Sequence, residues 1–212
     1  MTCPTLPLKP YPAVPARTDF SPDKLNLEWN YLRYPVTGNY SLISHKGFLR
    51  LKGSAQTIED RKSPTFAGRR IQDMYFTAAT ELDFNPGTVN EEAGMILLNN
   101  GAHFDVIIKQ SKGRRVIVGR LRFGSVIHET GEAELKPGPV KLIIKGERAN
   151  FIFSYSQGND EPKELTKVLA KYLSSETVGG FTGVYVGLYA TGNGRACTAN
   201  ADYDWFEYVN NE

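Results

Sequence analysis

Apolar and polar residues alternate along most of this chain, and the alternation is clearest near its end. From Phe181 to Tyr189, Val184, Val186 and Leu188 fall on one face, the period-two pattern of a half-buried strand. Gly192-Asn193-Gly194 then breaks the run with residues that accept the positive φ of a reversal. Ala201 to Tyr208 reads as a second strand, carrying Tyr203, Trp205, Phe206 and Tyr208. A strand this dense in large side chains belongs in the middle of a sheet, where both neighbours help to bury them. The rest of the chain is therefore expected to supply strands on either side of it.

The upstream pattern supplies them. Gln72 to Phe84 sets Met74, Phe76, Ala78, Thr80, Leu82 and Phe84 on one face. Ala93 to Leu98, His103 to Gln110, Arg115 to Phe123 and Val140 to Lys145 follow at hairpin spacing, and Phe151, Phe153 and Tyr155 alternate in another strand. Asn99-Asn100-Gly101, Ser111-Lys112-Gly113 and Lys136-Pro137-Gly138 supply turns. Tyr40 to Ile43 and Phe48 to Lys52 flank Lys46-Gly47 as a further hairpin. About a dozen short strands with no long helical pattern predict an all-β, two-layer antiparallel sandwich. One segment competes: Leu165, Val168, Leu169, Tyr172 and Leu173 have the spacing of an amphipathic helix. An extended strand and loop is the preferred reading there, because tertiary context overrides propensity in short segments.

At 212 residues the chain is expected to hold one domain, 19–212, behind a proline-punctuated arm, 1–18, in which Pro4, Pro7, Pro10, Pro12 and Pro15 bar helix and central strand alike. Lys and Arg exceed Asp and Glu by only two, a balance that gives no reason to expect nucleic acid or an anionic membrane as partner. No apolar run reaches membrane-spanning length and the first residues lack the apolar core of a signal peptide, so a soluble chain of unassigned compartment is expected. Cys3 and Cys197 are not expected to pair.

Motifs for chemistry are scarce. The sequence has no zinc spacing, no nucleotide loop between strand and helix, and no nucleophile elbow. His45, His103 and His128 are expected to be surface or internally satisfied residues, and Glu91-Glu92 a solvated turn. No acidic pair can be matched across a glycosidic bond from sequence alone. Trp29, Tyr31, Tyr34, Tyr40 and Trp205 are the candidates for stacking on a sugar, with Trp29 and Trp205 equally readable as core.

Several short motifs occur in a telling order: Leu27-Glu28-Trp29-Asn30, Gly47-Phe48-Leu49-Arg50-Leu51, Ser63-Pro64-Thr65-Phe66 followed by Arg69-Arg70-Ile71-Gln72, Glu92-Ala93-Gly94-Met95, Phe153-Ser154-Tyr155-Ser156, and the closing Ala201-Asp202-Tyr203-Asp204-Trp205-Phe206. Together, from about Asp19 onward, they resemble the C-terminal concanavalin A-like sandwich of family 43 glycoside hydrolases of the β-xylosidase type. The resemblance implies a jelly roll that packs on a catalytic β-propeller and helps to shape its sugar pocket. It implies that this chain alone is not an enzyme. A free-standing, lectin-like carbohydrate-binding domain is the alternative, with a xylo-oligosaccharide as ligand. By the same resemblance Phe66, placed on an exposed loop running from Ser54 to Gly68, contributes to the substrate pocket. A structural Ca²⁺ is implied where the start of the sandwich meets the final strand, with Asp19 and Asp204 as candidate ligands.

Overall fold

The computed structural model describes residues 15–180 and 182–211, so the arm up to residue 14 and Phe181 lie outside the described residues. In chain order the strands are β1 (Arg17–Thr18), β2 (Asn30–Tyr31), β3 (Tyr40–Ser41), β4 (Leu49–Lys52), β5 (Thr65–Arg70), β6 (Phe76–Asp83), β7 (Glu92–Asn99) and β8 (Ala102–Ser111). There follow β9 (Arg114–Phe123), β10 (Val126–Glu134), β11 (Val140–Glu147), β12 (Asn150–Ser156), β13 (Lys163–Leu169), β14 (Tyr185–Thr191) and β15 (Asn200–Asn210). One sheet runs β13-β12-β11-β6-β15-β4-β3, with β1 beside β15; the other runs β10-β9-β8-β7-β14-β5-β2. All these strand pairs are antiparallel. The sandwich expected from the alternation is the fold that forms.

The aromatic last strand lies inside its sheet, between β6 and β4. Tyr203 and Phe206 are both buried in the core between the sheets although they are three positions apart, an odd spacing that an unbroken strand would put on opposite faces. A register shift resolves the conflict: Tyr203 faces Leu82 and Phe206 faces Thr80, so Asp204 and Trp205 together oppose one residue of β6. This is a β-bulge, and it reverses which parity of β15 points inward. Trp205 is buried differently, with the Arg17 guanidinium 4.2 Å from its ring centroid and the Lys141 ammonium at 5.6 Å.

Other expectations shift in detail. The long strand starts at Phe76 rather than Gln72, and Met74 is exposed. Arg17 and Thr18, assigned to the arm, already pair with Glu207 and Phe206. The segment with helical spacing is strand β13, followed by a 3-10 turn at Ala170–Leu173 and a single helical turn, α1 (Ser175–Val178). The apolar face of the supposed helix is used in pieces, with Val168 and Leu173 buried and Leu169 and Tyr172 exposed. The β8–β9 connection is the two-residue turn Lys112-Gly113, both with positive φ, the geometry that matches the twist of a hairpin.

Candidate functional site

β7 is buried along its whole length, which means that both faces of its sheet are covered. The inner face meets the opposite sheet. The outer face carries a second apolar cluster of Ile58, Phe66, Ile96, Leu98 and Tyr189, with Leu32 and Tyr185 packed against it. Its cover is the segment 54–64, which crosses the sheet as a strap. Backbone bonds tie the strap to the β14–β15 connection, Gly192 N–H to Ser54 O at 2.8 Å and Gly194 N–H to Ala55 O at 2.9 Å. The Thr191 hydroxyl donates to Gln56 O at 3.0 Å, and Arg33 donates to Lys62 O at 3.0 Å.

Phe66 lies under this strap. It is a residue of β5, only 2% exposed, and not part of an exposed loop as the sequence suggested. Two glycines make its slot: a Cβ on Gly68 would come within 2.5 Å of the Phe66 ring and one on Gly187 within 2.3 Å. The Tyr40 hydroxyl fixes the backbone on either side, accepting from Phe66 N–H at 3.0 Å and lying 3.2 Å from both Pro64 O and Phe66 O. The exposed ring on which a pocket role depended is therefore absent from the folded domain.

Beside Phe66 runs a chain of charges. His103 holds Asp105 through Nδ1 and Glu59 of the strap through Nε2, the latter at 2.5 Å. Arg120 donates to Asp105 at 2.7 Å and to Glu92 at 2.8 Å, and Arg122 reaches Glu59 at 3.3 Å. A carboxylate at each ring nitrogen requires a proton on both, so the imidazolium is the fitted form. Burial works against that charge, but Asp105 and Glu59 outweigh it and hold His103 up at about 9. Burial likewise opposes the Glu59 charge, and His103 and Thr57 bring its carboxyl down to about 2. The expectation of an internally satisfied histidine holds for His103. The histidine pattern alone does not reveal the constellation. Its signal was the hairpin: fold β8 on β9 about Lys112-Gly113 and His103 faces Arg122 while Asp105 faces Arg120.

The Glu91-Glu92 pair is not a solvated turn. Glu91 is 2% exposed and accepts from Gly87 N–H at 2.6 Å, Thr198 N–H at 2.5 Å and the Thr198 hydroxyl at 2.8 Å. Glu92 ends the charge chain on Arg120.

The candidate calcium ligands lie just past β1 and within β15, two strands that pair antiparallel. Asp19 is exposed and accepts the Ser21 N–H at 3.1 Å. Asp204 is half-buried in the bulge of β15, while Asp202 is gripped by Arg50 through two bonds of 2.6 Å and by His45 at 2.8 Å. Among the described residues no group of three or more His, Cys, Asp and Glu side chains could hold a metal ion.

Two surface features remain. The end of the sandwich where β6 and β14 begin and β9 and β15 finish carries two exposed apolar groups, Met74, Tyr75 and Val209 beside β6 and β15, and Phe123, Val126 and Tyr172. Phe123, Val126 and Tyr172 border a recess there of about 370 Å³. β1 runs down from this same end, Tyr208 N–H bonding Ala16 O just before it. On one long side, the outermost strands β2 and β3 of the two sheets flank a groove of about 400 Å³.

The family model of the β-xylosidase C-terminal concanavalin A-like domain matches residues 17–209. The chain belongs to that family. Among curated proteins the domain is 36% identical over 207 residues to BoGH43B, a non-reducing end α-L-arabinofuranosidase of Bacteroides ovatus, covering 97% of this chain and 39% of that protein. It is 33% identical to a xylosidase/arabinosidase of Butyrivibrio fibrisolvens, over 79% of this chain and 32% of the other. A solved structure described as GH43B of the Bacteroides ovatus xyloglucan PUL superposes with a TM-score of 0.94 at 35% identity, covering 98% of this chain and 41% of that one. The chain thus spans about a third to two fifths of the length of these relatives. The model's start at Arg17 coincides with β1.

Proposed function

We propose that this domain is a non-catalytic accessory module of a family 43 β-xylosidase or α-arabinofuranosidase-type glycoside hydrolase, packing on a catalytic β-propeller and helping to shape its sugar pocket. The observation that carries the reading is the apolar end of the sandwich. Phe123, Val126 and Tyr172, and beside them on the other sheet Met74, Tyr75 and Val209, are exposed at the end from which β1 descends. A preceding domain would arrive there, and burying one such side chain contributes roughly 1.5–3 kcal/mol. The names and lengths of the relatives support the same assignment. The carboxylates on the outer face argue against catalysis by this chain, because Glu59, Asp105 and Glu92 are each bound to a histidine or an arginine. Aryl-xyloside and aryl-arabinofuranoside assays on the pure chain should give no turnover. Turnover that co-purifies with it through successive columns would overturn the proposal.

A further inference from the structure

We infer that the groove between β2 and β3 is a binding site for a short neutral oligosaccharide, separate from the docking of any propeller. The reasoning starts from position. β2 and β3 lie at one margin of their sheets, whereas the apolar recess beside β9 and β10 lies toward the opposite margin, so the two surfaces do not compete.

The groove is amphipathic in the way a sugar is. Its floor is Leu25, Leu42 and Leu49, and Tyr31 and Tyr40 stand in its wall with ring centroids 5.0 Å apart, edge to face. Tyr40 cannot swing away, because its hydroxyl is held by the backbone of Pro64 and Phe66. The platform is therefore built before any ligand arrives, which spares the ordering cost of binding. Around the rim stand Asp23, Lys24, Thr37 and Ser41. Asp23 and Lys24 form no side-chain bond or ion pair among the described residues. A pyranose or furanose offers a C–H face to an aromatic or aliphatic surface and a hydroxyl perimeter that both donates and accepts. A carboxylate beside an ammonium meets both needs. The same pair disfavours a phosphate, which would meet one cation and one anion. A volume of about 400 Å³ lies within the range of small-ligand sites.

Titration of the purified chain with xylotetraose, arabinotetraose and cellotetraose, followed by amide chemical shifts and calorimetry, tests this directly. At least one should bind with a dissociation constant in the millimolar range or tighter, shifting resonances of residues 23–25, 31 and 37–42. Tyr31→Ala and Lys24→Ala should each weaken it about tenfold, with the melting temperature of Lys24→Ala unchanged. Tyr34→Ala, on an exposed neighbour outside the groove, should bind as the parent does. No saturable shift with any of the three sugars overturns the inference, as does binding that survives both groove variants. Protection of the groove by an added propeller, without sugar binding, would make it a domain contact and also overturn it. None of these results touches the accessory role, which stands or falls on the turnover assays.

Discussion

Replacing Phe66 by alanine separates the two accounts of that residue. An aromatic on an exposed loop could be truncated within about 0.5 kcal/mol. Phe66 is instead 2% exposed, filling a slot walled by Ile58, Ile96, Leu98 and Tyr189 and floored by Gly68 and Gly187. β14 is bonded to β5 on one side and to β7 on the other beneath it, so the slot cannot collapse. Phe66→Ala should then cost about 3–5 kcal/mol, a fall in melting temperature of about 6–20 °C for a domain of this size. Urea denaturation followed by tryptophan fluorescence and by far-UV dichroism gives the value, provided both probes report one transition. Gly187→Ala refines the test. Alone it drives a methyl into the Phe66 ring and should destabilise; combined with Phe66→Ala it partly fills the vacancy, so the double variant should be more stable than additivity predicts. A loss below about 1 kcal/mol for Phe66→Ala would refute the reasoning, since no buried phenylalanine in a rigid slot is that cheap to remove.

Three further outcomes follow from the charges. His103 has a folded pKa of about 9 against about 6.5 unfolded, so its contribution is complete below about 6.5 and fades as pH rises through 9; denaturation midpoints should decline over that window in the parent and be flatter in His103→Gln. The groups facing His103 are Asp105 on its own strand and Glu59 on the strap, with Arg120 and Arg122 on β9 behind them. Glu91→Ala unpairs Gly87 N–H, Thr198 N–H and the Thr198 hydroxyl, and should cost about 2 kcal/mol or more, with exchange of the Thr198 amide accelerated. A chelator added to calcium-treated protein tests the candidate pair Asp19 and Asp204: a clear drop in melting temperature supports a calcium site there, and an unchanged value removes it.

The sandwich was legible because period-two alternation and turn residues are local. The aromatic run at 201–208 even announced a central strand, and β15 is one. What escaped was set by contacts distant in sequence. β5 carries Gly68 inside Thr-Phe-Ala-Gly-Arg-Arg and follows Ser63-Pro64, which reads as loop until β14 provides Gly187 on the other side of the Phe66 ring. Glu91 looked solvated because Thr198, its partner, is 107 residues away. β10 is so polar and exposed that no hydrophobic pattern marks it; pairing with β9 alone makes it a strand. The charge chain on the outer face was half legible, since the Lys112-Gly113 hairpin sets its cross-strand register, but Glu59 comes from the strap and no pattern foretells it.

The place of β15 has a consequence for how the protein is made. It is the last of the described strands of this domain to be synthesised, yet β6 and β4 both bond to it and β1 lies along it. Until residues 200–210 are synthesised, the eight-stranded sheet has a vacant lane through its middle, flanked by apolar strands with unpaired backbone groups. Such a nascent chain is open to pairing with other chains. Folding of this sheet must therefore wait until β15 has been made, and with so many pairings between distant segments it should be slow. Deleting β15 alone would leave β6 and β4 without the neighbour that joins them.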